Sequence, residues 1–79
     1  MEEKLVEIIY NLCEEDIVRT DLDLDLFEEG LLDSLAMAEL LITIEDEFGV
    51  VLPPTEYDKS QLSTVRKIEQ ILKEKGVHE

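Results

Sequence analysis

Apolar residues recur every three or four positions in three parts of the chain, which is the spacing of an amphipathic helix. These parts cover about residues 2–13, residues 34–48 and the segment after Thr64. The apolar positions are Leu5, Val6, Ile8, Ile9, Leu12 and Cys13 in the first part, Met37, Leu40, Leu41, Ile44 and Phe48 in the second, and Val65, Ile68, Ile71 and Leu72 in the third. The pattern predicts three helices that bury these positions against one another.

The connections between the predicted helices differ in length. In the long connection over residues 14–33, Asp and Leu alternate over Asp21–Leu26, but Asp disfavours strands and no partner strand is evident. We therefore interpret this stretch as an extended loop that turns its leucines and Phe27 onto the core. Later in the chain, Thr55–Asp58 has the cap spacing of a short helical turn. The predicted fold is all-α, a small bundle of three main helices plus one short helix, in a single domain over residues 1–79.

The net charge of the chain restricts the classes of molecule that it can bind. The 79 residues hold 21 acidic and 7 basic side chains, for a formal net charge of -14. Such a charge argues against nucleic acid as a partner and against unaided docking on an anionic membrane, and it favours partners with basic surfaces. The first residues lack the pattern of a signal peptide, and no apolar run is long enough to span a bilayer. We expect a cytoplasmic protein that does not insert into membranes, with a monomer as the default.

The candidate chemistry lies where the long connection meets the second predicted helix. Asp33 has the position of an N-cap, and Ser34 would then lie in the first turn with its hydroxyl facing water. First-turn amides lack intrahelical partners, and the helix dipole favours an anion at this end. From its position, Ser34 could carry a phosphate, act as a nucleophile or serve only as part of the cap.

Catalysis by the polypeptide itself is not expected. A nucleophilic serine needs a base, usually histidine, and the one histidine is His78, next to the C-terminal residue. The G-x-S-x-G pattern is absent, and the three glycines are too scattered for a phosphate-binding loop. We predict no catalytic residue, so any chemistry must depend on an added group or on a partner enzyme.

The long connection contains part of a calcium-binding pattern. Asp21, Asp23 and Asp25 have the spacing that opens an EF-hand loop. That loop needs Gly at its sixth position and Glu at its twelfth, where this chain has Leu26 and Leu32. We therefore predict no metal site and interpret these acids as solvated charge.

The second predicted helix has an additional apolar stripe. Leu35, Ala38 and Ile42 fall on a different side from the core positions, beginning beside Ser34 and framed by acids. A helix of a small monomer needs only one apolar stripe, although single exposed apolar residues are also normal. We interpret this stripe as a docking face for a partner.

Three segments, residues 29–35, 39–41 and 45–49, resemble the acyl carrier protein family. In that family the Asp-Ser-Leu motif marks the serine that receives 4'-phosphopantetheine. The resemblance covers nearly the whole chain and assigns that role to Ser34, with Asp33 as the adjacent residue that the transferase recognises. It implies a phosphopantetheinyl transferase as a partner, and a prosthetic group whose thiol holds an acyl or aminoacyl group as a thioester.

Within that family, the chain is most similar to the carriers that serve D-alanylation of teichoic acid. The supporting segments are Glu14, Asp16–Val18, Phe27–Ser34, Glu39–Leu41 and Pro54–Lys59. Three residues depart from that subfamily, which commonly has Phe or Met in place of Leu35, Phe in place of Tyr57 and often Trp in place of Leu62. Fatty-acid carriers often have an acid directly after the motif, and Ala36 departs from that pattern.

The likeness implies a relay between two further partners. A D-alanine–carrier protein ligase loads the thiol, and membrane acyltransferase machinery then receives the D-alanyl group for lipoteichoic acid. Partner contacts are expected at Leu35, Ala38 and Ile42 and at the acids Glu28 and Glu39.

Two other functions are consistent with the residues. One is a carrier of the same fold whose cargo is a fatty acyl, polyketide or peptide-synthesis amino acid group. The other is a non-carrier acidic adaptor that binds partners through the stripe that begins at Leu35, with Ser34 as a cap residue only. A mass increase by one phosphopantetheine, lost in Ser34→Ala, would distinguish a carrier from an adaptor.

Overall fold

The computed structural model describes residues 2–77. Four helices follow one another along the chain: α1 over Glu2–Cys13, α2 over Ile17–Thr20, α3 over Ser34–Phe48 and α4 over Val65–Glu74. No strand occurs among the described residues. The predicted all-α fold of three main helices and one short helix is confirmed.

Helix α1 lies at the centre of the fold, because it contacts each of the other three helices. The core is formed by the apolar sides of the helices together with side chains from the connections. Its buried members are Leu5, Val6, Ile8 and Ile9 of α1, Val18 of α2, Leu40, Leu41 and Ile44 of α3, Val65, Ile68 and Leu72 of α4, and Leu26, Leu32, Leu52 and Leu62. Burying one such side chain contributes about 1.5–3 kcal/mol, so the connections stabilise the fold as directly as the helices do.

The remaining predicted core positions lie at the edges of the helix stripes. They are partly buried and pack against the core: Leu12, Cys13, Met37, Phe48 and Ile71. Among residues 2–77, no helix combines the length and the apolar character that a membrane span requires.

Side chains and a glycine define the ends of the longer helices. Asp33 before α3 and Thr64 before α4 each accept a hydrogen bond from the amide three residues on, as predicted. This interaction satisfies one of the free donors of the first turn. Helix α3 ends at Gly49, whose φ of 70° is a left-handed conformation that glycine adopts without steric cost.

The long connection is more structured than predicted, because it contains α2. Val18 of α2 is fully buried, while Arg19 lies over the Tyr10 ring at 4.2 Å and pairs with Glu7 of α1 at 3.3 Å. The prediction of a connection without a helix over residues 14–33 is therefore wrong at Ile17–Thr20. A four-residue helix has too few positions to show a periodic pattern, and its place is fixed by contacts with α1.

The rest of the connection is a non-helical loop, and most of its apolar side chains turn onto the core. Leu26 is fully buried, and Leu22 and Phe27 are partly buried against the core. The expected role is confirmed for these three residues. It is wrong for Leu24, which is half-buried but is not among the described residues that pack against the core.

The short helical turn predicted at Thr55–Asp58 is wrong in its position. A simple turn replaces it, in which the Glu56 amide donates to the Pro53 carbonyl at 2.9 Å. The reciprocal capping pair lies three residues later. Asp58 Oδ1 accepts from the Gln61 amide at 3.1 Å, and Gln61 Oε1 accepts from the Asp58 amide at 3.0 Å. A capping box favours Glu or Gln at its last position, because the longer side chain reaches back to the first amide.

Candidate functional site

The start of α3 is formed by Asp33 and the residues directly after it. Asp33 is extended, with φ −122° and ψ −172°, and its Oδ1 accepts from the Ala36 amide at 2.8 Å. Its carbonyl accepts from the Met37 amide, also at 2.8 Å. Within residues 2–77, the Ser34 and Leu35 amides have no acceptor. Two donors therefore remain available at the positive end of the helix dipole.

Ser34 is the first residue of α3, and it is exposed. In the described part of the chain its hydroxyl has no hydrogen-bond partner. Because Asp33 makes the cap, the serine hydroxyl is not needed to hold the start of the helix. It is available for covalent modification, and an anion attached there would lie at the favourable end of the helix dipole.

The turn that precedes α3 is fixed by buried leucines. Leu26 and Leu32 are both buried, and the Leu26 carbonyl accepts from the Leu31 and Leu32 amides at 2.9 and 3.0 Å. Gly30 has φ 74° within this turn, where a residue with a Cβ would be strained. The Leu26 amide donates to the Ser63 carbonyl at 2.7 Å, which attaches the turn to the segment before α4.

Two residues that hold this loop, Asp25 and Arg66, were not predicted from the sequence. Asp25 Oδ1 accepts from the amides of Phe27 and Glu28 at 3.1 and 2.9 Å. Arg66 Nε donates to Asp23 Oδ1 at 2.9 Å, which joins α4 to the same loop. An Asp at the start of a turn is a recognisable local signal. The ion pair joins residues 43 positions apart and leaves no local pattern.

The predicted docking stripe is exposed on one side of α3. Leu35 retains 71% and Ile42 64% of its surface, and Ala38 between them is exposed as well. Their spacing of three and four residues places them on one side of the helix, and we name this surface the α3 face. Glu39 is exposed one turn after Leu35, whereas Glu28 is exposed on the separate turn before the helix. The structure therefore brings four of the five predicted contact residues onto one helix.

The described residues offer a hydroxyl, two amide donors and an apolar surface at this end of α3. Within residues 2–77 there is no histidine, and no group of three or more His, Cys, Asp or Glu side chains is placed to hold a metal ion. His78 lies outside the described residues. Such a site can accept a group and present it to another molecule.

A family of known proteins matches almost the whole chain. The family described as "phosphopantetheine attachment site" matches residues 3–72. The chain belongs to this family, and its prosthetic group is 4'-phosphopantetheine, attached covalently. A covalently attached group requires a partner enzyme that attaches it.

Three individual relatives within this family share most of their length with the chain. The D-alanyl carrier protein of Abiotrophia defectiva is 40% identical over 75 residues, which cover 95% of this chain and 95% of the relative. The D-alanyl carrier protein of Bacillus subtilis is 38% identical over 72 residues, covering 91% and 92%. That of Lacticaseibacillus casei is 45% identical over 64 residues, covering 81% and 79%. All three are carriers by name, and this chain is similar to each over most of its length.

Proposed function

We propose that Ser34 carries the 4'-phosphopantetheine group and that the chain holds D-alanine on it for D-alanylation of lipoteichoic acid. The observation that supports Ser34 is its exposure at the first position of α3, with a hydroxyl that has no partner among residues 2–77. The chain has two other serines. Ser60 donates its hydroxyl to Asp58 Oδ1 at 2.6 Å, and Ser63 is buried. Ser34 is therefore the serine that a transferase can reach without breaking an existing contact.

The start of α3 suits the chemistry of the group. The Ser34 and Leu35 amides and the helix dipole favour the negative charge of a phosphodiester on the Ser34 oxygen. When bound, the group supplies an exposed thiol that holds the D-alanyl unit as a thioester. The thiol of the chain itself, on Cys13, is partly buried against the core. The assignment of D-alanine as cargo follows the relatives, which bear the name D-alanyl carrier protein and match most of the chain.

Three partners would use the site in turn. A phosphopantetheinyl transferase would recognise Asp33 together with Ser34, a D-alanine–carrier protein ligase would load the thiol, and membrane acyltransferase machinery would receive the D-alanyl group. The α3 face supplies apolar contact, and the Glu28 and Glu39 carboxylates complement basic partner surfaces. Because one face serves several enzymes, each complex must be small and quickly reversible.

In this proposal, the chain is a substrate of its partner enzymes and has no catalytic residue. Activation of D-alanine as an adenylate consumes ATP, so loading belongs in the cytoplasm. The α3 face remains open to partners when the protein is a monomer. Residues 1–79 act as one carrier domain.

Intact-mass measurement tests the proposal. The chain is incubated first with coenzyme A and a phosphopantetheinyl transferase, and then with D-alanine, ATP and a D-alanine–carrier protein ligase. We expect one mass increase at each step. Ser34→Ala should show neither increase, while Ser60→Ala, which removes the chain's other exposed serine, should show both.

Other outcomes would reassign the function. A wild-type chain that stays unmodified by an active transferase would favour the adaptor. A modified chain that accepts a long acyl group but not D-alanine would remain a carrier with a different cargo.

A further inference from the structure

We propose that Asp25 is a positioning residue for the reactions at Ser34. It would act through the turn of residues 26–32, which holds Glu28 and the start of α3 in one fixed relation. This inference rests on the proposed function of Ser34.

Asp25 organises the first part of this turn. Its Oδ1 accepts from the Phe27 amide at 3.1 Å and from the Glu28 amide at 2.9 Å. Its carbonyl accepts from the Glu29 amide at 3.0 Å. Asp25 thus accepts hydrogen bonds from three consecutive amides. The second of these is the amide of Glu28, whose carboxylate is proposed to contact partners.

The turn of residues 26–32 connects these hydrogen bonds to the start of α3. Leu26 is fully buried, and its amide is tied to the Ser63 carbonyl at 2.7 Å. The Leu26 carbonyl accepts from Leu31 and Leu32, and Leu32 is itself buried. Asp33, which caps α3, follows directly. A turn that loses its first hydrogen bonds should therefore loosen the segment that leads to the cap.

In the proposed function, partners contact Glu28 and Ser34 in the same encounter. Holding both in one arrangement before binding removes an ordering cost from every complex. When only a fraction of molecules has that arrangement, apparent affinity falls by the same fraction. Loss of the Asp25 contacts should therefore raise KM for a partner enzyme more than it changes kcat.

The chain offers a matched control in Asp21. Asp21 Oδ1 accepts from the Asp23 amide at 3.1 Å, in the same loop and also through one carboxylate oxygen. Asp21→Ala removes the same charge and a similar local bond without touching residues 26–32. Asp25→Asn is the complementary variant, because it removes the charge and keeps an oxygen that can accept from the two amides.

The experiment measures phosphopantetheine transfer to Ser34 in chains that lack the group. We expect Asp25→Ala to raise KM about tenfold with kcat within about twofold, because the competent fraction falls. Asp25→Asn and Asp21→Ala should both stay within about twofold of wild type in KM, since each keeps the turn. Hydrogen exchange should become faster at the Leu31 and Leu32 amides in Asp25→Ala alone, with α1 still protected.

Two results would overturn the inference. One is an Asp25→Ala chain whose KM and exchange match wild type. The other is an Asp25→Asn chain as impaired as Asp25→Ala, because the partner would then recognise the charge itself. If the α1 amides of Asp25→Ala lose their protection from hydrogen exchange, the variant is unfolded and Asp25→Gln is used in its place. The same rise in KM and the same faster exchange are expected, because the side-chain oxygen of Gln lies one carbon farther from the backbone. Failure of the proposed function would look different: the wild-type chain would not be modified at Ser34.

Discussion

Helices α3 and α4 begin in the same way but use their surfaces differently. Each starts at a side-chain cap, and each buries three apolar residues. In α4, Val65, Ile68 and Leu72 are fully buried, and no large apolar side chain is exposed. In α3, Leu35 and Ile42 remain exposed in addition to the buried set. The charges differ too, since α3 has acids only and α4 has both signs.

The difference between the two helices supports the proposed docking role of the α3 face. One apolar stripe is enough to dock a helix on a core, so packing and solvation account for the residues of α4. The exposed apolar residues of α3 gain nothing from that packing, and they begin beside Ser34. A surface that costs solubility without adding stability indicates a use in binding.

The largest expected effect separates a core residue of α4 from a residue of the α3 face. Leu72→Ala should lower the free energy of unfolding by about 2–5 kcal/mol, because it leaves a cavity in the core. Ile42→Ala should change it by no more than about 0.5 kcal/mol, because the side chain is already exposed. Urea unfolding of the two variants measures both values. An equal loss in Ile42→Ala would show that this side chain is covered in solution, and the contrast between the helices would fail.

The two caps provide the next comparison. Thr64→Ala and Asp33→Ala should each destabilise the fold by about 1 kcal/mol, because each leaves a first-turn amide without its acceptor. Their effects on function should differ. Thr64→Ala should be modified by the transferase at the wild-type rate, and Asp33→Ala should be modified more slowly. Thermal unfolding and transfer rates measured on the same samples test this, and equal transfer rates would remove the proposed role of Asp33.

Local patterns were enough to predict α1, α3 and α4. The spacing of apolar residues, the caps at Asp33 and Thr64 and the stop at Gly49 all lie within a few residues of the elements they define. The exposed stripe on α3 could be predicted for the same reason, because a helix with two apolar sides is visible in its own sequence.

The remaining features depend on contacts between distant residues. Arg19 of α2 is placed by the Tyr10 ring and Glu7 of α1, and the Asp23–Arg66 pair joins the loop to α4. Such contacts leave no signal in the neighbouring sequence. The attachment of the turn before Ser34 could not be predicted for the same reason, because the Leu26 amide donates to the carbonyl of the distant Ser63.

A smaller effect should have opposite signs in the two helices. Glu39→Gln removes an acid from the all-acid α3 in a chain of net charge -14, and it should raise the melting temperature at low salt. Lys73→Gln removes the partner of Glu69, which lies at 3.2 Å and one turn earlier in α4, and it should lower the melting temperature. Glu39→Gln should be worth a few tenths of a kcal/mol, about 1–3 °C for a domain of this size. Lys73→Gln should have the larger effect of the two, because the Glu69 side chain is only 13% exposed and would lose the partner of its charge.

High salt provides the check on this pair of variants. Screening should bring Glu39→Gln toward wild type, because exposed charges more than about 10 Å apart interact little at moderate ionic strength. The effect of Lys73→Gln should persist in part, because a partly buried pair is screened less. Shifts of the same sign in both helices, or a Glu39→Gln shift that persists in high salt, would show that the charges do not distinguish α3 from α4.

The smallest expected effect lies in the segment between the two helices. The Ser60 hydroxyl and the Gln61 amide donate to the Asp58 carboxylate and hold its pKa below the ordinary value of 3.8. The folded chain thus binds this proton less tightly than the unfolded chain. The contribution to stability is complete above about pH 4 and is lost as the pH falls through the lowered pKa. At high ionic strength, wild type should melt above Asp58→Asn near neutral pH, with a gap that narrows in acid, while Glu56→Gln shows no such trend. A gap that stays constant into acid would mean that Asp58 stabilises this turn by its geometry alone.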